Sequence, residues 1–266
     1  MKNKKSPIIF RRNIDKGVLS DPYALDIIFS EAIGLIQKLQ KNEVIADYYV
    51  CENACATSDC YKLKEILFSL DSANDFHSDT HMKVINTGTI GRYLSRWGFQ
   101  PMKYLKDLYK FPVVNKMEFL RHFPNSYGKK SVKPKIIIKG LTLLDSCIDF
   151  DGFVIPGKST MMIAAPANEL LYLSALINSK LMIFFVKQKY SSSSYNGGIN
   201  FTKDMINNLP FRKDHEDSIL TIAKNILSIK FNDYTADTST LESEIDRMVY
   251  ELYGLTDDEI KIVESS

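Results

Sequence analysis

The run Leu170–Val186 limits what this chain can become more than any other stretch. A run this long and apolar must be buried in a core or placed in a bilayer, and its length is near that of a membrane span. Asn178, Ser179 and Lys180 interrupt it at its middle. Those three side chains are costly in hydrocarbon, so the run reads as a buried helix that starts at Asn168 and Glu169 and ends near Lys187. A membrane role is the alternative.

Short elements surround that helix. Ser20-Asp21-Pro22 is a helix start, with a capping side chain and an early proline, and helical spacing continues from Leu25 to about Lys41. Val44–Cys51 reads as a strand or its approach, and Asp59 to Leu70 as a short helix. Lys83-Val84-Ile85, Lys135–Lys139, Cys147–Phe150, Gly152–Ile155 and Thr160–Ala165 read as strands, and Tyr109–Val114 carries Pro112. Asn125–Lys130 reads as an exposed, mobile loop, and Lys187–Gly198 as a flexible Ser/Gly segment. Asn208-Leu209-Pro210 closes this part of the fold. The expected class is mixed α/β (α+β), with short antiparallel or mixed sheets, a long buried helix and a C-terminal helical segment. The 266 residues suit one large domain or two smaller ones.

Charge divides the chain unevenly. Lys83 to Lys139 holds 13 cations against Asp107 and Glu118, a net of +11, while the whole chain is only +2. Nine aromatics, from Tyr93 to Tyr127, lie between those cations. A basic, aromatic-rich segment suits a polyanion with bases or sugars to contact. The plainer reading is a basic surface whose aromatics are core. Residues 214–266 carry 13 acids and four cations. Ser239-x-x-Glu242 and Thr256-x-x-Glu259 mark helix starts there. Such a segment is too acidic to lie on DNA, so its apolar faces must pack on the body or on another protein. The domain reading is therefore 1–213 for the body and 214–266 for the acidic helices.

Motifs for chemistry are weak. Gly152-Phe-Val-Ile-Pro-Gly157-Lys158-Ser159 matches a phosphate-binding loop in letters. Such loops point consecutive N–H groups at phosphates, but Phe153, Val154 and Ile155 prefer a strand and Pro156 has no N–H. Cys51-x3-Cys55 and His77-x3-His81 invite a zinc reading, yet 21 residues separate the pairs, more than a zinc finger uses. The histidines lack a paired nucleophile, and neither a glycine-rich cofactor loop nor Asn-Pro-Pro-Tyr is present. The chain is not expected to be an enzyme on its own. Ile8–Phe10 is too short for a signal peptide core, which points to a cytoplasmic protein with reduced thiols.

Several stretches together resemble a known family. Lys83-Val-Ile-Asn-Thr-Gly-Thr-Ile-Gly-Arg-Tyr93 with Trp97-Gly98, Lys133-Pro-Lys-Ile-Ile-Ile138, Ile148-Asp-Phe-Asp-Gly152, Leu171–Lys180, Asn208-Leu-Pro-Phe211 and Leu241–Leu255 are similar to the TaqI-like C-terminal specificity domain. That domain serves type II adenine-N6 DNA methyltransferases and fused restriction–modification enzymes. The resemblance implies sequence-specific recognition of double-stranded DNA, with methylation, and in some enzymes cleavage, done by a separate methyltransferase or endonuclease domain or subunit. It implies no cofactor in this chain. S-adenosylmethionine, with magnesium as a further candidate, belongs to the catalytic part that is missing. It also makes Gly152–Ser159 a hairpin turn. The candidate DNA-contacting residues are Arg92, Arg96, Lys116, Arg121, Lys129 and Lys130, then Asn86, Thr87 and Lys189. The rival readings are a protein-interaction module with a basic face for an acidic partner and, third, a nucleotide-binding protein.

Overall fold

The apolar run is buried as two helices, Ala167–Ile177 and Lys180–Lys189, bent by 60° at their junction. In the computed structural model, which describes residues 30–190, 194–195, 198–213 and 217–266, the break has a clear cause. Asn178 is fully buried; its side-chain oxygen accepts the Ser146 N–H at 2.8 Å, and its amide donates to the Ser146 carbonyl at 3.1 Å. The side chain thus pairs with a strand backbone as a neighbouring strand would. Ser179 then caps the second helix by accepting the Met182 N–H, and Asp246 accepts the Lys180 N–H at 2.7 Å. Burial in these surroundings raises the Asp246 carboxyl pKa above its ordinary value. Asn178→Leu orphans both Ser146 backbone groups and is expected to cost about 2–3 kcal/mol, measured as a lowered urea midpoint. Among the described residues no single helix is long and apolar enough to cross a membrane.

In chain order the elements begin with α1 (Ile33–Leu39), β1 (Glu43–Val44), β2 (Cys51–Asn53), α2 (Thr57–Ile66), β3 (Phe68–Ser69) and β4 (His81–Ile85). The basic stretch supplies β5 (Met102–Tyr104), β6 (Asp107–Tyr109), β7 (Pro112–Asn115), α3 (Lys116–His122), α4 (Ser126–Ser131) and β8 (Lys135–Lys139). Next come β9 (Leu141–Thr142), β10 (Ser146–Asp149), β11 (Val154–Pro156), β12 (Thr160–Ala164), and the two apolar helices, α5 (Ala167–Ile177) and α6 (Lys180–Lys189). The chain continues with β13 (Ser194–Tyr195), β14 (Gly198–Asn200), α7 (Lys203–Asn207), β15 (Pro210–Phe211), α8 (Asp217–Asn232), α9 (Ser239–Leu252) and α10 (Asp257–Glu264). The helix start expected at Ser20 lies outside the described residues.

Two four-stranded sheets organise the molecule, in the orders β10-β8-β12-β2 and β11-β4-β7-β3. The first is antiparallel throughout; in the second, β11 runs parallel to β4. Side chains alternate along β8, as a strand requires. Ile136 and Ile138 enter the core made with α1, α5, α6 and the C-terminal helices, while Ile137 joins Ile85, Val113 and Trp97 in a core between the sheets. A third core joins α2, α3 and α4 to β4, β5 and β6. The apolar faces of α8 and α9 pack on the body, with Ile219, Ile226, Ile245 and Val249 beside Leu173 and Phe185.

Three local expectations are corrected. Asn125–Lys130 is not a loop, because Ser126–Ser131 forms α4. Asn125 caps it, and Tyr127 is buried, donating its hydroxyl to the Pro156 carbonyl at 2.9 Å. Helix α2 ends at Ile66, and Phe68 and Ser69 leave it to pair with Val113 and Pro112. At the start of α9 the capping position belongs to Thr238, whose hydroxyl donates to the Glu242 carboxylate at 2.7 Å.

Candidate nucleic-acid interface

Folding sorts the cations of the basic stretch into two groups. The first is spent inside the protein. Lys83 lies over the rings of Phe76 and Trp97 at 4.8 and 4.6 Å, and burial lowers its ammonium pKa. Lys135 is buried against Asp149, and Lys139 meets Asp145 at 3.3 Å. The second group is exposed: Lys103, Lys106 and Lys110 around the β5–β6 hairpin, and Arg121, Lys129 and Lys133 on and after α3 and α4. Both sets stand on elements that surround the core of α2, α3 and α4. The acidic helices α8, α9 and α10 belong to the other large core.

The nine candidate residues divide along the same line. Asn86 caps the turn Thr87–Thr89 by accepting the Gly88 N–H at 2.9 Å, and its amide donates to the Lys103 carbonyl at 2.7 Å. Thr87 donates to the Ser159 carbonyl. Both side chains therefore tie β4 to neighbouring turns. Arg92 meets Glu242 at 3.0 Å and donates to the Asn178 carbonyl, so it latches α9 to the α5–α6 junction. Arg96 donates to the Tyr234 hydroxyl at 2.9 Å and to Gln100 at 3.3 Å. Lys116 lies over the Phe153 ring at 5.4 Å, and Lys189 lies over Phe185 and Tyr190 at 5.4 and 5.6 Å. Lys130 pairs with Glu52. Arg121 and Lys129 are the two of the nine that are exposed.

The aromatics tell against base stacking by this stretch. Tyr93, Trp97, Tyr104, Tyr109, Phe111, Phe119, Phe123 and Tyr127 are all core side chains. Phe99 alone of the nine is exposed, at 60%, and it stacks on Tyr234 with ring centroids 4.7 Å apart. Charge without available rings suits backbone phosphates better than unstacked bases.

Sequence reasoning missed a cleft of about 590 Å³ beside the exposed cations. Its walls come from the start of α2, the tip of the β5–β6 hairpin at Leu105, α4 at Asn125, Ser126 and Lys130, and the β11–β12 turn at Lys158 and Ser159. Its lining also holds the Lys130–Glu52 ion pair, Lys158 and Asp59. The lining is assembled from segments more than a hundred residues apart, so no local signal marks it.

The phosphate-loop letters fold as a strand and turn. The Phe153 and Val154 N–H groups donate to Asp149 at 3.1 and 3.0 Å, and the Gly157 N–H donates to the Ile85 carbonyl at 2.7 Å. Those donors are occupied within the fold. The zinc reading fares similarly, since Cys51 lies in one core and Cys55 contacts Cys60 at another. Among the described residues no group of three or more His, Cys, Asp or Glu side chains is placed to hold a metal. A scan against protein-family models finds no match for the chain, and a search of curated proteins finds none either.

Proposed function

We propose that this chain binds double-stranded DNA as the specificity part of a restriction–modification adenine-N6 DNA methyltransferase, in the cytoplasm, with catalysis supplied by another domain or subunit. The observation that carries the reading is the separation of charge between cores. Exposed lysines and arginines stand on the elements around one core, and the acidic helices are packed on another. A duplex meeting the basic side would release condensed counterions from its phosphates. The sequence resemblance supports the same reading. Arg121, Lys129 and Lys158 are the first residues to test, with Lys103, Lys106 and Lys133 beside them.

One observation favours the second reading, a basic face for an acidic protein partner. The aromatics are core, so the face offers charge with almost no rings for recognition.

Fluorescence anisotropy with a random duplex over a salt series tests the proposal. Affinity is expected to fall steeply with salt, and Arg121→Ala/Lys129→Ala should flatten the log–log slope by about 2, at ~0.9 per phosphate contact. No affinity at low salt, or an unchanged slope, would sink the idea. Selection from a random duplex pool then separates the readings. An enriched motif supports sequence recognition, and an unenriched pool supports the acidic protein partner.

A further inference from the structure

We propose that Cys55 and Cys60 form a reversible dithiol–disulfide centre, a modification site at the wall of the cleft, oxidised by peroxides. The two Sγ atoms are 2.8 Å apart. A disulfide bond is about 2.05 Å long, so closure moves the sulfurs together by less than about 1 Å. Both residues line the 590 Å³ cleft, Cys55 half-buried and Cys60 buried behind it, so a small oxidant meets the pair from the cleft side. The other two cysteines, Cys51 and Cys147, are buried in separate cores and do not line that cleft.

The surroundings separate the roles of the two thiols. The hydrogen bond shared with Cys55 lowers the Cys60 thiol pKa below its ordinary value, and the Tyr104 hydroxyl and Lys158 ammonium lower it further. The same hydrogen bond, with burial, raises the Cys55 thiol. A thiolate is the nucleophile in such chemistry, which makes Cys60 the attacking residue and Cys55 the resolving one. The Cys60 thiolate attacks one oxygen of hydrogen peroxide, giving a sulfenic acid and hydroxide. The Cys55 thiol then attacks the sulfenic sulfur; a bond forms between the sulfurs, and the hydroxyl leaves as water with the thiol proton. Two thiols lose two electrons in all, and one peroxide becomes two waters. Disulfides in a reducing compartment are usually transient and redox-sensing, and a pair held in contact at a cleft suits that use.

Peptide mapping of the full chain after graded hydrogen peroxide tests the proposal. The expected product is a Cys55–Cys60 disulfide with loss of two of the four thiols, restored by dithiothreitol. In Cys55→Ser the reaction should stop at a sulfenic acid on Cys60, captured by dimedone. In Cys60→Ser the dimedone signal should fall at least tenfold. Phenylarsine oxide, which bridges paired thiols, should bind once to the native chain and not to either variant. Four intact thiols after peroxide would overturn the proposal, as would dimedone capture on Cys55 or arsenical binding that survives both substitutions. DNA affinity plays no part in these readouts, so they stand or fall apart from the proposed function.

Discussion

Lys135→Met is expected to lower the unfolding free energy by about 3–5 kcal/mol, the range for breaking a buried ion pair from one side. The Lys135 side chain is 0% exposed. Its ammonium pairs with Asp149 and donates to the carbonyls of Ser131 at 2.6 Å and Lys133 at 3.2 Å. Burial holds its pKa below the ordinary lysine value, opposed by the attraction of Asp149. Methionine fills the volume but leaves the Asp149 carboxylate in the core without a counter-charge. A second change, Asp149→Asn, removes that charge; the Phe153 and Val154 N–H groups reach separate carboxylate oxygens, so the single amide oxygen keeps one of them and the other loses its acceptor. The double variant should therefore recover part of the loss, less about 1–3 kcal/mol for the N–H left without an acceptor. Urea unfolding followed by far-UV circular dichroism checks both, with a lowered midpoint and an unchanged slope. A single-variant loss below about 1 kcal/mol would refute the account.

Gly152→Ala is expected to cost about 3–4 kcal/mol. Gly152 has φ of +70°, a conformation costing an L-residue roughly 1–2 kcal/mol. An added Cβ would lie 2.2 Å from the Val132 oxygen and 2.5 Å from its carbon. Backbone must shift to relieve that contact, adding about 1–3 kcal/mol. Gly254 supplies the control: its φ is +61°, but a Cβ there meets nothing within 4 Å. Gly254→Ala should cost only about 1–2 kcal/mol, so equal losses at the two positions would remove the steric argument. The result also bears on the phosphate-loop letters, because it assigns their first glycine to a crowded turn.

What could be read in advance was local. The Thr256-x-x-Glu259 box forms as its spacing states, with Thr256 accepting the Glu259 N–H and Glu259 the Thr256 N–H. Lys135–Lys139 is a strand, and Leu170–Val186 is buried apart from the exposed Lys180 and half-buried Ile183. What escaped depended on partners far along the chain. The break at Asn178 is set by Ser146 on another element, which hydropathy cannot register. Arg92 and Arg96 count as surface charge in a linear tally, yet Glu242 and Tyr234 take them inward. The Asn125–Lys130 segment has turn-like composition, and only the burial of Tyr127 and Gly128 makes it helical. The cleft and its adjoining thiols escaped for the same reason.

The pairing of β1 with β15 joins Glu43 to Phe211 and Val44 to Pro210. In a ribosome-bound chain, the first of these partners waits for the second while all the residues between them are made. At 5–20 residues per second that wait lasts about 10–35 s. Strands β8 and β12 are complete before α8 and α9 arrive to cover Ile136, Ile138 and Ile163. Such non-local closure is slow in refolding as well, on the order of milliseconds to seconds. Nascent chains of this protein are therefore expected to need holding chaperones, and slower growth at low temperature should raise the recovered fraction.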